Sequence, residues 1–222
     1  MQTKTVLLAG VGGQGAILTA KVLVAGLMRA GYDVKMSEVH GMSQRGGSVT
    51  TQVRFDEHVH SPVIGKGAAD ILVAFEKMEA VRYADFLKPD GIAIINDYEM
   101  ASAATAAGLA EYPAGCVEAM ERTFTCRTLR AAEIAETLGT QKCMNIVLFG
   151  ALVNALALDS ISREGQLGLG PGEAVDLRLG QSAADSDNTV RMLIAAREDI
   201  VRNAGFGVPR ADFAVIDTGD VF

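Results

Sequence analysis

A short apolar run followed at once by a cluster of glycines constrains the fold of this chain more than any other feature. Thr5 to Ala9 reads Thr-Val-Leu-Leu-Ala and is ended by Gly10-Val11-Gly12-Gly13-Gln14-Gly15. A helix-compatible stretch then continues to about Arg29, and Gly31 stops it. Glycine permits the tight turns that join a buried strand to a helix. The segment therefore predicts a strand, a tight turn and a helix.

Further strands follow along the chain. Asp33 to Val39 predicts a second strand, so the N-terminal region forms a βαβ unit with a right-handed crossover. Ser48 to Phe55 alternates with β-branched residues and predicts a strand that is either antiparallel or at an edge of the sheet. Ile71 to Phe75 and Ile92 to Ile95 predict two more buried strands.

Helices are predicted between and after these strands. One spans about Met78 to Leu87, and Pro89 is expected to terminate it. Ala119 to Leu129 predicts one more strand, and Arg130 to Leu138 a helix. Met144 to Leu158 is almost wholly apolar but shorter than the roughly 20 residues of a membrane helix. It predicts a buried helix, for which another subunit is one candidate cover.

The C-terminal quarter has a different character. Gly165 to Asp187 is rich in glycine and predicts a connection that could cross onto a partner, and Asn188 to Ala204 predicts a final helix ended by Gly205. That helix packs either on its own sheet or against another chain. The whole predicts one α/β domain with a Rossmann-like, doubly wound, mostly parallel sheet and a helical C-terminal extension. Residues 1–160 form its core, and residues 161–222 form the connection and C-terminal helix.

Charge and hydropathy restrict the partners and the location. The chain has 20 Lys plus Arg against 27 Asp plus Glu, a net charge of -7 with no long basic run, so we expect no nucleic-acid partner. The run Val6 to Ala9 is too short for a signal peptide or a membrane span. A cytoplasmic location without membrane association is expected.

Cysteine and histidine give little basis for a metal site. The three cysteines, Cys116, Cys126 and Cys143, are widely spaced and form no C-x-x-C pair, whereas an iron-sulfur cluster needs about four thiolates. Zinc is disfavoured because the histidines lack a cysteine pair to join. We expect the cysteines to be packing residues, His40 a hydrogen-bonded loop residue, and His58 and His60 surface residues.

The glycine turn has two interpretations. Gly10-x-Gly12-x-x-Gly15 is similar to the turn that lets a backbone approach a pyrophosphate at a helix N-terminus, and Glu38 stands where a ribose-binding acid would be expected. An NAD-dependent Rossmann dehydrogenase and a small-anion-sensing regulatory domain both follow from this interpretation. The alternative is that Gly12, Gly13, Gln14 and Gly15 only shape a turn or contact a partner.

A polar loop between two predicted strands is the second candidate site. It reads Glu38-Val-His-Gly-Met-Ser-Gln-Arg-Gly-Gly-Ser48. Loops at strand ends are where function concentrates. Arg45 offers a planar fork of donors for a carboxylate or phosphate, and the glycines beside it permit close approach. A binding or interface role and a solvated connection both stay open. The candidate interface residues here are Glu38, His40, Ser43, Gln44, Arg45, Gly46 and Gly47.

Three stretches together resemble one family. They are Leu8 to Gly15, Ser37 to Val49, and Ala69 to Glu76, which reads Ala-Asp-Ile-Leu-Val-Ala-Phe-Glu. The chain resembles the gamma-type subunit or domain of 2-oxoacid:ferredoxin oxidoreductases, and the Glu-Val-His-Gly-Met-Ser-Gln-Arg-Gly-Gly form is most similar to the beta subunit of the indolepyruvate enzyme. Asn145 to Leu152 is also similar to a later apolar helix of the family.

The resemblance implies a division of labour between subunits. Thiamine diphosphate with Mg, held by larger partner subunits, would decarboxylate a 2-oxoacid such as indolepyruvate. Electrons would pass through iron-sulfur clusters to ferredoxin, and coenzyme A would take the acyl group. The resemblance implies an enzyme subunit of anaerobic metabolism that binds none of these cofactors, holds no catalytic residue of its own and is inactive alone. The sequence leaves open whether the isolated chain forms a homodimer.

That division of labour is consistent with residues that the chain lacks. It has no Gly-Asp-Gly followed by an Asn pair to hold the magnesium of the diphosphate, and no cluster-binding set of cysteines. The resemblance further implies that the Gly10–Gly15 turn and the Gly41–Gly47 loop lie on one rim of the sheet and face the catalytic subunit or its substrate channel.

Overall fold

A computed structural model describes residues 3–40, 47–101, 105, 107–137 and 143–156 of the chain. Within them a six-stranded sheet has the order β2-β3-β1-β4-β5-β6. The strands are β1 (Lys4–Val11), β2 (Asp33–His40), β3 (Ser48–Asp56), β4 (Ala69–Ala74), β5 (Leu87–Asn96) and β6 (Thr125–Leu129).

Helices cover both faces of this sheet. They are α1 (Ala16–Arg29), α2 (Lys77–Arg82), α3 (Cys116–Glu121), α4 (Ala131–Thr137) and α5 (Met144–Ala155), with a 3-10 helix over Ala84–Phe86. Helices α1, α4 and α5 pack on one face through Leu23, Ala135 and Val147, and α2 and α3 pack on the other through Ala80 and Met120. The sheet is therefore doubly wound, which confirms the predicted α/β class.

Strand β3 is the one antiparallel strand among the six. It pairs antiparallel with β1 on one side and with β2 on the other, while β1, β4, β5 and β6 pair parallel. The antiparallel prediction for β3 is confirmed, and the edge prediction is wrong. Val53 and Phe55 of β3 are buried beneath α1, whereas residues 33–38 of β2 are half-buried and Val39 is exposed. Each of these strands has three apolar residues, so apolar content does not set their order. Strand β3 is interior because it pairs over eight residues with β1 and over eight with β2, which satisfies its backbone N–H and C=O groups on both sides.

The helix predicted to end at Pro89 is shorter than expected. Helix α2 ends at Arg82, and Pro89 lies inside β5. The register between β4 and β5 shifts between the pairs Ala69–Leu87 and Ile71–Ile92, so the proline occupies an exposed, irregular stretch of the strand. A proline is tolerated there because the missing N–H breaks no ladder bond.

The strand predicted over Ala119 to Leu129 begins within a helix. Residues from Cys116 to Glu121 form α3, which begins at Gly115 with φ +74°, and only Thr125–Leu129 is strand. The prediction of a helix after this strand is confirmed by α4. Apolar content alone concealed α3, because a six-residue helix shows less than two turns of periodicity.

Helix α5 confirms the apolar helix predicted from Met144. Its N-terminal half is buried, including Ile146, Val147 and Leu148, and in its C-terminal half Ala151 and Leu152 are also buried while the other residues are half-buried. The predictions of a connection over 165–187 and a helix over 188–204, and with them the division at residue 160, lie outside the described residues.

A buried asparagine joins the sheet to these last two helices. The Asn96 side chain is fully buried; its amide donates to the Phe75 carbonyl at 3.1 Å and to the Met144 sulfur at 2.9 Å. Its oxygen accepts the Ala131 N–H at 2.9 Å, which satisfies a free amide of the first turn of α4.

We predict that Asn96→Ala destabilises the protein by about 2–4 kcal/mol, because it leaves a buried N–H unpaired and opens a small cavity. Urea unfolding followed by circular dichroism measures this loss. Asn154→Ala, at a half-buried position of α5, is the control and should cost under about 1 kcal/mol. Equal losses in the two variants would contradict the assignment.

Candidate functional site

The carboxyl-terminal edge of the sheet holds the candidate site. Strands β1, β2, β4, β5 and β6 point the same way, and β3 begins at the edge where they end. The Gly12 N–H donates to the Gly47 carbonyl at 2.9 Å. The turn after β1 and the end of the loop before β3 therefore share one edge, as predicted. This edge includes the point between β1 and β4 where the connections diverge, the usual ligand position in doubly wound folds.

Gln14 fills the turn at that point with its own side chain. Its Oε1 accepts the Val11 N–H at 2.7 Å, and its Nε2 donates to the Phe75 carbonyl at 3.3 Å. The Gln14 backbone N–H also donates to the Val11 carbonyl at 3.1 Å. Gln14 is only 9% exposed. The glutamine thus ties the turn to the end of β4 and occupies space that an incoming ligand would need.

The glycines of the turn serve conformation and close packing. Gly13 and Gly15 have φ of +101° and +87°, a region that side chains disfavour. A Cβ at Gly15 would lie 2.8 Å from Nδ2 of Asn145 in α5, and one at Gly10 would lie 2.9 Å from the Cβ of Phe75. A Cβ at Gly13 would meet nothing within 4 Å. Of Gly10, Gly13 and Gly15, only Gly13 faces open space, so the other two serve close packing against β4 and α5.

These contacts disfavour dinucleotide binding at the turn. The backbone N–H groups of Val11, Gly12 and Gln14 already have partners within the protein. Glu38 pairs with Thr51 of β3, which in turn pairs with Leu8 of β1. Because β3 intervenes, Glu38 is two strand spacings from β1, about 10 Å, instead of one. The acid is therefore displaced from the position that binds a ribose beside the first strand.

Two residues of the α2 region, the acidic Glu79 and the aromatic Tyr83, hold the start of β3. The Ser48 hydroxyl donates to Oε2 of Glu79 and lies 3.0 Å from the Tyr83 hydroxyl. Oε1 of Glu79 accepts Nε of Arg82 at 2.8 Å. Glu79 is 1% exposed, and pairing offsets the cost of burying its charge.

A second buried carboxylate lies one turn earlier. Glu76 caps α2 by accepting the N–H groups of Met78 and Glu79 at 3.0 and 2.9 Å, and it also accepts the Tyr112 hydroxyl. Burial and the neighbouring Glu76 raise the pKa of Tyr112 well above its ordinary value. Sequence reasoning missed both acids. Glu76 could have been found from its place directly after a buried strand, whereas Glu79 has no such signal.

The other predicted site residues fall in different places. Ser43, Gln44, Arg45 and Gly46 lie outside the described residues, so their role stays a prediction. His40 is the last residue of β2. His58 and His60 are exposed, which confirms them as surface residues.

The cysteines are packing residues, as expected. Cys116 is buried and the other two are half-buried, and none of the three forms a disulfide. Burial raises the pKa of the thiols of Cys116, Cys126 and Cys143, which lowers their thiolate fraction and their reactivity. In the part of the chain that the structure describes, no three His, Cys, Asp or Glu residues are grouped so as to hold a metal ion. No helix among the described residues has the length and apolar content to cross a bilayer.

Comparison with known proteins identifies the family. Residues 5–168 match the model of the pyruvate ferredoxin/flavodoxin oxidoreductase family. The chain is 40% identical to indolepyruvate oxidoreductase subunit IorB of Archaeoglobus fulgidus over 150 residues, which are 66% of this chain and 74% of that protein. It is 34% identical to the subunit of the same name from Pyrococcus horikoshii, over 81% of this chain and 92% of that protein.

A solved structure has the same fold. The gamma subunit of a keto/oxoacid ferredoxin oxidoreductase from Geobacter sulfurreducens matches with a TM-score of 0.59 at 19% identity, over 90% of this chain and 99% of that one. The doubly wound sheet and these matches define the class of protein. The chain belongs to the pyruvate ferredoxin/flavodoxin oxidoreductase family.

We predict that Gly15→Ala destabilises the protein more than Gly13→Ala does. Both substitutions place a side chain at positive φ, at a cost of about 1–2 kcal/mol. Only the Gly15 variant also collides with Asn145, which adds about 1–3 kcal/mol. Chemical denaturation of the two variants measures the difference. Equal destabilisation by the two substitutions would contradict the packing role of Gly15. Binding of NAD or NADP to the wild-type chain in calorimetry would show that the turn also accepts a dinucleotide.

Proposed function

We propose that this chain is the small subunit of a 2-oxoacid:ferredoxin oxidoreductase complex of the indolepyruvate type. The observation that carries the proposal is its identity of 40% and 34% with two indolepyruvate oxidoreductase IorB subunits, one of them matched over 92% of its length. In such a complex the chain is one part of an oxidoreductase that acts on an oxo group with an iron-sulfur protein as acceptor. A cytoplasmic, anaerobic setting belongs to the same proposal.

Larger partner subunits hold the cofactors in this proposal. Thiamine diphosphate with magnesium, iron-sulfur clusters and coenzyme A supply the decarboxylation, the electron transfer and the acyl transfer when they are bound there. Two features of this chain are in line with the cofactors being held by the partner subunits. Three separated cysteines fall short of the four thiolates of a typical cluster. The turn that would approach a diphosphate uses three of its amides internally.

The surface offered to the partner is the carboxyl-terminal edge of the sheet. Strand β2 ends at His40 and β3 begins at Ser48 at this edge, and Gly47 is hydrogen-bonded to Gly12 of the turn. Arg45 carries the one formal charge in the Gly41–Gly47 loop. A guanidinium flanked by glycines is suited to a carboxylate of a partner or of the substrate. We place the functional contact of the chain at Gln44 and Arg45.

Purification of the native complex through a tag on this chain tests the assembly. We expect a larger, brown partner that contains thiamine diphosphate and iron, together with oxoacid-dependent dye reduction. The isolated chain should be colourless and inactive. A colourless homo-oligomer that recovers no partner would overturn the proposed function.

Arg45→Ala tests the contact itself. We predict that this variant weakens partner binding or lowers oxoacid-dependent dye reduction by about ten-fold or more, since an interfacial arginine commonly contributes this much. Arg122→Ala is the matched control, because Arg122 is exposed and lies just after α3, at the end of the sheet where β6 begins. Equal behaviour of the two variants in reconstituted complexes would remove Arg45 from the functional surface.

A further inference from the structure

We propose that Glu79 is a positioning residue: through Ser48 it holds the exit of the Gly41–Gly47 loop in place for the partner subunit. The partner half of this inference rests on the proposed function, whereas the holding of the loop exit does not. Nothing in the sequence pattern singled out Glu79. Its role follows from where its two carboxylate oxygens are directed.

The loop exit is fastened at two consecutive residues. Gly47 accepts the Gly12 N–H at 2.9 Å, and the next residue, Ser48, donates its hydroxyl to Glu79. Gly12 leads into α1 on one face of the sheet, and Glu79 belongs to α2 on the other face. The exit is therefore held by elements that lie on the two faces of the sheet, beside the end of β1.

Glu79 is itself held in place by other contacts, so its hydrogen bond fixes the position of Ser48. Its side chain is 2% exposed, and its other oxygen accepts Nε of Arg82 at 2.8 Å. The Tyr83 hydroxyl lies 3.0 Å from the Ser48 oxygen, and the Tyr83 ring packs against Phe86 with ring centroids 5.9 Å apart. Loss of the Ser48 hydroxyl would leave a buried carboxylate oxygen without this donor, a costly state that favours local rearrangement.

The sequence position of Ser48 connects this anchor to the functional surface. Gln44 and Arg45 precede Ser48 by only four and three residues. A rigid support behind a binding group reduces the ordering that must accompany binding. Glu79 thus acts on the partner only through Ser48 and the loop, without contact with the substrate or the cofactors.

A matched pair of hydroxyl deletions at the two ends of β3 tests this inference. Ser48→Ala removes the bond to Glu79 at the first residue of the strand. Thr3→Ala removes a similar hydroxyl–carboxylate bond, of 2.9 Å, to Asp56 at the last residue of the same strand. Ser48→Thr keeps a hydroxyl at the first position and serves as the conservative variant.

The first measurement is tryptic cleavage after Arg45 in the full chain, followed by mass spectrometry at early times. It needs no partner. We expect Ser48→Ala to accelerate this cleavage about five- to thirty-fold, Thr3→Ala to change it less than about two-fold, and Ser48→Thr to restore most of the protection. In a Glu79→Gln background, Ser48→Ala should have a smaller effect than in the wild type, because the two residues act as a pair. Equal cleavage in the Ser48→Ala and Thr3→Ala variants would overturn the inference.

The second measurement is the affinity of each variant for the partner subunit recovered with the tagged wild-type chain. We expect Ser48→Ala to weaken this affinity by about three- to thirty-fold, and Thr3→Ala to bind as the wild type does. The two variants should have the same thermal stability. Faster cleavage with unchanged affinity would overturn the role in partner binding. Failure of the wild-type chain to recover any partner would count against the proposed function, and the cleavage result would still decide the role of Glu79 at the loop exit.

Discussion

The backbone N–H and C=O of Phe75 form the junction on which the two halves of the sheet depend. Its N–H donates to the Ala9 carbonyl at 2.8 Å, and its carbonyl accepts both the Gln14 and the Asn96 side-chain amides. Through these amides the end of β4 is joined to the turn before α1 and to the end of β5. Buried amides are stable only when their donors and acceptors are satisfied, so each side chain restricts the place of the others.

This junction also explains why the family resemblance and the physical interpretation of the glycine turn lead to different expectations. The glycine spacing alone indicates a diphosphate site. The same glycines here accommodate Asn145 and Phe75, and the Val11 and Gly12 amides are taken up by the Gln14 side chain and the Gly47 carbonyl. The glutamine between the glycines favours packing over diphosphate binding, because its side chain is long enough to fold back and accept the Val11 N–H.

Most of the fold could be predicted from the sequence, because apolar runs and glycine positions are local signals. Strands β1, β2, β3 and α1 begin and end within a residue or two of the predicted bounds. The place of β3 between β1 and β2 could not be predicted, since strand order depends on long-range pairing. The candidate site divides in the same way. Gly12 and Gly47 were found from composition, whereas Glu79 was hidden because only the folded chain brings it to Ser48.

The insertion of β3 has a consequence for synthesis and folding. Strands β1 and β2 leave the ribosome before β3 exists, yet neither pairs with the other in the native sheet. Each instead pairs with β3, so the nascent chain exposes two unpaired strand edges until residue 56 is available. The β2–β3 hairpin has the shorter loop to close, and β1 must then join it across a longer separation, which is the slower step. A nascent chain that stops between β2 and β3 therefore exposes these unpaired edges, which favour wrong strand pairing and aggregation.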